Sequence, residues 1–180
     1  MQQRRSAREY TAEPLTRREL GQLLWAAQGI TSDEGGRTAP SAGALYPLEL
    51  FAVTRDVEGV DPGVWRYQPQ GHALSPVREG DRTTALRAAS LDQSPVGDAP
   101  ASIVIAGVQA RTEVKYGERS ERYVILEAGH AAQNLVLQAT TLGLAAVTIG
   151  AFDDAEVQQV VGLVADEDPL YVIPVGRPPG

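Results

Sequence analysis

The stretch ERYVILEAGHAAQNLVLQATTLGLAAVTI, residues 121–149, carries most of the information about the fold. From Glu121 to Leu142, the residues Tyr123, Val124, Leu126, Ala128, Ala131, Ala132, Leu135, Val136 and Ala139 lie almost all round a helix of 3.6-residue period. A helix that is apolar on nearly every side belongs in a core or between subunits. Gly143 ends it, and Leu144 to Ile149 then reads as a strand. The predicted unit is a long buried helix running directly into a sheet.

The remaining strands and helices fit around that unit. Ser102 to Val108 (SIVIAGV) is a continuous apolar run, the pattern of a strand covered on both faces. Leu48 to Thr54 (LELFAVT) places Leu48, Leu50 and Ala52 on one face. Val64 to Tyr67 and His72 to Leu74 form a predicted hairpin through Gln68-Pro69-Gln70-Gly71. Thr16-Arg17-Arg18-Glu19 is a capping box, followed by the stripe Leu20, Leu23, Leu24 and Ala27 and a stop at Gly29. Residues 31–47 read as loop, 81–90 and 153–162 as short helices, and Leu170 to Val175 as a closing strand. Helices and strands alternate without the regular count of a doubly wound fold. The expected class is α+β, one mixed sheet with helices on both faces, in a single domain over residues 1–180.

Composition narrows the chemistry. Hydrophobic residues make up 43% of the 180, an ordinary globular share. There is no cysteine, so thiol nucleophiles, disulfides and thiolate metal sites are excluded. Two histidines leave little material for a metal site, and none is expected. A net charge of −7 argues against a nucleic-acid binder. No apolar run reaches the roughly 18–20 residues of a membrane span, and no signal-peptide core follows Met1, so a cytoplasmic protein is expected.

Five segments can carry chemistry. Arg4-Arg5-Ser6-Ala7-Arg8 places three guanidinium groups and a hydroxyl where one phosphate could be held, although alone it also reads as a solvated terminus. Ala39 to Pro47 (APSAGALYP) has the small side chains that let backbone approach a flat ligand. Lys115-Tyr116 contains the only lysine among the 16 Lys and Arg residues, and a desolvated lysine is a usable general base. Glu127, His130 and Asn134 form a polar stripe on the long helix, read as structural, with hydrogen bonds expected across a subunit boundary. Gly150-Ala151 ends a strand where backbone amides are exposed, or is a plain turn.

In order along the chain, these segments resemble the nitroreductase superfamily. RRSAREY is similar to its RRSxRxF signature, APSAGALYP to its PSSxNxQP loop, and EAGHAAQNLVLQATTLGLAAVTIGAFD to its helix and following strand. PSAGALYP, the Lys-Tyr pair and EAGHAAQN most resemble the SagB/ThcOx-type flavin dehydrogenases, which include azoline dehydrogenases acting on peptides. The resemblance implies an intertwined homodimer with flavin mononucleotide (FMN) at the interface. It implies that Arg4, Arg5, Ser6 and Arg8 hold phosphate and ribityl oxygens. Ser41, Ala42, Gly43 and Leu45, from the other subunit, would line the flavin with Asn134. Gly150 and Ala151 would offer amides to the ring, and Lys115 and Tyr116 would be base and orienter. Arg177 is the one cation near the carboxy-terminal end that could serve as a distal phosphate contact.

Two departures stand out: Ala44 and Tyr46 replace the loop's usual Asn and Gln, with Tyr46 fitting the SagB-type version. The implied activity is a two-electron ping-pong oxidoreduction. Either NADH or NADPH drives reduction of a quinone or nitroaromatic, or a small molecule or modified peptide is dehydrogenated. The alternative is a non-catalytic flavin-binding or partner subunit of a peptide-modifying assembly.

Overall fold

The structure, a computed structural model, describes residues 2–179. In chain order its elements are β1 (Leu15–Thr16), α1 (Arg17–Gln28), β2 (Leu48–Thr54), β3 (Val57–Glu58), β4 (Gly63–Gln68), β5 (Ala73–Glu79), α2 (Thr83–Ala89), α3 (Ser94–Asp98), β6 (Ala101–Gly107), α4 (Gln109–Tyr116), α5 (Ser120–Thr141), β7 (Ala145–Ala146), α6 (Asp154–Val161) and β8 (Asp168–Gly176). A 3₁₀ turn covers Ala42–Ala44. The main sheet has six strands in the order β5-β4-β2-β6-β8-β7.

Alternation along the central strands divides the interior in two. Leu48, Leu50 and Ala52 of β2, Ile103 and Ile105 of β6 and Ile173 of β8 pack with Leu20, Leu23 and Leu24 of α1 and Ala128, Ala131 and Leu135 of α5. Phe51 and Val53, Val104 and Val172 point the other way, onto Leu86 of α2, Val96 of α3 and Val157 and Val161 of α6. Helices therefore cover both faces, which is why Ser102–Val108 reads as apolar throughout. Each fully buried Leu, Ile or Phe contributes roughly 1.5–3 kcal/mol of transfer free energy. The expected α+β class holds. All five strand pairings of the six-stranded sheet are antiparallel, and parallel pairing is confined to β1 with β3 and to a single Ser6–Ala146 bridge.

The capping box forms: the Glu19 amide donates to Thr16 Oγ1 at 3.2 Å and the Thr16 amide to Glu19 Oε2 at 2.8 Å. Gly29 ends α1 in an extended rather than a left-handed conformation, its N–H still bonded to the Trp25 carbonyl. The strand expected over 144–149 narrows to Ala145–Ala146, with one later bridge, Ile149–Val172. Pro174 supplies the reason. It lies on the same side of β8 as Val172, has no N–H to give, and its carbonyl accepts from the Tyr10 hydroxyl at 3.2 Å. Helix α4 had no sequence signal because QARTEVKY buries only Thr112.

Candidate functional site

Residues 39–47 fold into a tight turn just ahead of β2. The Tyr46 amide donates to Ser41 Oγ at 2.8 Å, closing the loop on itself. Gly43, Ala44 and Tyr46 all adopt positive φ, at +65°, +56° and +46°. Such a conformation is strained for the two side-chain-bearing residues, so the surroundings must impose it. Helix α4 delivers Lys115 and Tyr116 to the same turn. A Cβ placed on Gly43 would lie 2.9 Å from Lys115 Nζ and 3.0 Å from the Tyr116 hydroxyl. The backbone conformation favours glycine here, and a Cβ would make the ends of the Lys115 and Tyr116 side chains give way. The Tyr116 ring packs edge-on against Tyr123 of α5, with centroids 4.9 Å apart, which fixes the end of α4.

The polar stripe of α5 meets this turn from beneath. Glu127 is buried, at 3% exposure. Its Oε1 has no hydrogen-bond partner among the described residues. Burial pushes its pKa up to about 7, against the opposing pull of Ser41, Arg37 and Ala42. Asn134 Nδ2 donates to the Thr38 carbonyl at 3.1 Å. Asn134 therefore has a partner in the chain's own loop. His130 is exposed.

Arg37 was not singled out from the sequence. Its Nη1 donates to Gln28 Oε1 at 2.9 Å and its guanidinium lies 4.7 Å from the centroid of the Tyr46 ring. Burial lowers its pKa, against the attraction of Glu49, Tyr46 and Glu127. The one available signal was that Arg37 is the only cation in the loop over residues 31–47. Arg111 ties the far side of the turn, donating to the Tyr46 carbonyl at 3.1 Å and to Glu49 Oε1 at 2.5 Å.

The arginine-rich segment lies along another part of the molecule. Ser6 bridges Ala146 in parallel, and the Ala7 amide donates to the Ala146 carbonyl at 3.1 Å, so the segment is laid on the β7 edge. Gln2 and Gln3 share a groove with Leu137, Thr140 and Thr141 at the end of α5. Arg5 Nη1 donates to the Gln2 and Arg4 carbonyls, and Arg8 Nη1 reaches the Ser6 carbonyl. Among the described residues, none of Arg4, Arg5 and Arg8 pairs with a carboxylate. Gly150 and Ala151 are exposed at the end of the same edge, with the Ala151 carbonyl held by Gln93 Nε2 at 2.8 Å.

Arg177 is engaged elsewhere. Its guanidinium meets Glu13 Oε1 at 2.8 Å and Glu19 Oε2 at 3.1 Å. Burial raises the Glu19 pKa, but hydrogen bonds from Thr16 and the Arg177 charge together hold it below the usual carboxylate range.

Two groups of residues thus emerge from the sequence candidates. Ser41, Ala42, Gly43, Leu45, Lys115, Tyr116 and Asn134 gather around the turn, while Arg4, Arg5, Ser6, Arg8, Gly150 and Ala151 follow the sheet edge. No hydrogen bond or ion pair among the described residues links the two groups. Among those residues no His, Asp and Glu cluster could hold a metal ion, and no helix is long and apolar enough to cross a membrane.

Comparison with known proteins gives this arrangement a place. The model of the nitroreductase family matches residues 1–177, and the chain belongs to that family. Within it, the chain falls beside the SagB-like branch. It is 30% identical to the microcin B17-processing protein McbC of Escherichia coli over 71% of this chain and 48% of that protein. It superimposes with a TM-score of 0.86 and 28% identity on a chain of the E. coli microcin synthetase McbBCD complex with truncated pro-MccB17 bound, covering 99% of this chain and 70% of that one. It is also 45% identical, over 97% of its length and 87% of the relative's, to MJ1384 of Methanocaldococcus jannaschii, which bears a nitroreductase name.

Proposed function

We propose that the protein is an FMN-dependent oxidoreductase whose complete site forms between two copies of the chain. The observation that carries the reading is the contact of Gly43 with Lys115 and Tyr116. It places a bare backbone turn, suited to a flat ring, against a potential base.

The residues present fit FMN. Among the described residues Arg5 and Arg8 bond only to nearby carbonyls, leaving guanidinium donors for a phosphate, with Arg4 and the Ser6 hydroxyl beside them. Ser41, Ala42, Gly43 and Leu45 would line the ring, with Asn134 bracing their loop through Thr38. Gly150 and Ala151 would present backbone to its polar edge. Arg177, committed to Glu13 and Glu19, is the weakest candidate of the set. Bound there, FMN supplies two-electron redox chemistry, and the protein supplies orientation and electrostatics.

What this chain contributes is a positioned proton acceptor. Lys115 is held at the turn by α4, with its Nζ 5.5 Å from the centroid of the Tyr116 ring. In this reading Lys115 Nζ takes a proton from the substrate and the Tyr116 hydroxyl orients the group that loses it. That pair supports dehydrogenation of a small molecule or of a modified peptide, a reading favoured by the similarity to a chain of the McbBCD complex, which has truncated pro-MccB17 bound. A second reading, reduction of a quinone or nitroaromatic by NADH or NADPH, is favoured by the similarity to MJ1384.

Purified protein should bind FMN and turn yellow. Anaerobic mixing with NADH or NADPH separates the two readings. Rapid bleaching supports the reductase, while no bleaching by either donor supports the dehydrogenase. A protein that takes up no FMN overturns both.

A further inference from the structure

We propose that Arg111 is the positioning residue of the Lys115 site: its guanidinium ties helix α4 to the turn over residues 39–47, and so decides where the Lys115 amine stands. The proposal deepens the FMN reading above and rests on it for the use made of Lys115.

Helix α4 needs such a tie. Its eight residues are too few for a helix to persist alone, and it buries only Thr112. Its ends are fastened. The Val108 amide donates to the Pro47 carbonyl at 2.8 Å, Gln109 Nε2 donates to Ser120 Oγ at 3.1 Å, and the Tyr116 ring lies against Tyr123. Between those ends, Arg111 reaches the turn. Its Nη1 donates to the Tyr46 carbonyl at 3.1 Å and its Nη2 to Glu49 Oε1 at 2.5 Å.

Arg111 and Lys115 stand four residues apart, about one turn of helix, and share a face. Fixing the first against Tyr46 therefore aims the second at Gly43, where a Cβ would meet Nζ at 2.9 Å. The tie also steadies the turn. Tyr46 holds φ +46°, with its amide bonded back to Ser41 Oγ and its carbonyl bonded out to Arg111. Both backbone polar groups of a strained residue are thus secured, one within the loop and one from the helix.

Arginine suits this place because its planar fork answers two acceptors at once, a carbonyl and a carboxylate. The carboxylate is itself anchored. Glu49 Oε2 lies 3.7 Å from Arg66 Nη1, Arg66 pairs in turn with the buried Glu167, and its guanidinium sits 4.8 Å from the centroid of the Phe51 ring. Arg111, Glu49, Arg66 and Glu167 thus alternate in charge from α4 through β2 and β4 to the residue ahead of β8. The Glu49 side chain is only 15% exposed, so salt screens this pairing less than one at the open surface.

Lys115 is the only lysine in the chain, which makes the test direct. Protein grown with isotope-labelled lysine gives one ε-methylene signal in NMR spectra. Its cross-relaxation to the Gly43 α-protons reports the approach of the two residues without substrate or flavin. The proteins compared are wild type, Arg111→Ala, Glu49→Ala and the isosteric Glu49→Gln. Wild type should show the cross-peak. Arg111→Ala should lose it, and amide hydrogen exchange across α4 should quicken about tenfold or more, as for a lost hydrogen bond to a charged group. Glu49→Ala should do the same to a smaller degree. Because both act through one contact, the double variant should exchange no faster in α4 than Arg111→Ala. Glu49→Gln keeps an acceptor without the charge and should fall between wild type and Glu49→Ala. A residue that only stabilised the fold would shift the melting curve and leave the cross-peak in place. Circular dichroism identifies any variant that fails to fold, and Glu49→Gln decides the question if the alanine variants do. Wild type without the cross-peak, or folded variants that keep it at full strength, overturns the proposal. FMN uptake is followed on the same samples. No uptake by wild type overturns the FMN reading, while the flavin-free measurements still decide for or against Arg111.

Discussion

Gly43 and Lys115, distant in the chain, meet so closely that a Cβ on Gly43 would stand 2.9 Å from the lysine Nζ. That distance is shorter than real Cβ contacts allow, and Gly43 also has φ +65°. Gly43→Ala should therefore lower stability by about 1–2 kcal/mol and push Lys115 out of place. Thermal melts and steady-state turnover should both show the loss, with turnover suffering more than FMN retention.

Lys115→Ala and Tyr116→Phe separate the base from its orienter. Lys115 is exposed and its removal breaks no buried contact, so folding and FMN binding should be unchanged. Loss of a general base costs about 10²–10⁴ in rate. Dehydrogenation by Lys115→Ala at the wild-type rate would show the lysine to be a bystander.

The arginine segment should dominate phosphate binding. Replacing both Arg4 and Arg5 with Ala should weaken FMN binding by roughly tenfold or more per lost charge-assisted contact. The wild-type affinity should also fall with added salt, as expected for exposed cations. Arg177→Ala, by contrast, should leave FMN affinity unaltered while lowering the melting temperature, because its partners are Glu13 and Glu19. Since Glu19 titrates below its usual range, its share of stability is present at neutral pH and is lost on acidification.

Glu127 sets the opposite slope. Its folded pKa of about 7 exceeds the ordinary carboxyl value, so the folded state binds its proton more tightly than the unfolded chain. Stability without ligand should consequently fall as pH rises from about 4.5 to about 7, by up to about 3 kcal/mol. Glu127→Gln should flatten that slope in urea titrations collected across this range.

Much of this was readable from residue order. The capping box at Thr16, strand Leu48–Thr54 and the long α5 helix follow from local periodicity and end signals, which act over a few residues. What escaped depends on contacts between distant segments. Helix α4 has no apolar stripe, since its role is to carry Lys115 and Tyr116 to the turn. A polar stripe on an apolar helix says that partners exist without saying where, so the bond from Asn134 to the Thr38 carbonyl could not be read from α5 alone. Arg37 looked like ordinary loop arginine until folding placed it between Gln28 and Tyr46. The two-residue β7 depended on Pro174, which lies on a neighbouring strand, and no pattern within 144–149 encodes that.

The Ser6–Ala146 bridge also bears on how the sheet ends. β7 is the last strand of its sheet, and an open edge invites pairing with other chains. Ser6 and Ala7 lie over part of that edge as a short cover. Deleting the first eight residues would therefore remove the proposed anion site and uncover a sticky rim together, so such a protein should self-associate even with FMN in excess. Point substitutions at Arg4 and Arg5 leave the cover in place and are the cleaner way to weaken the anion site.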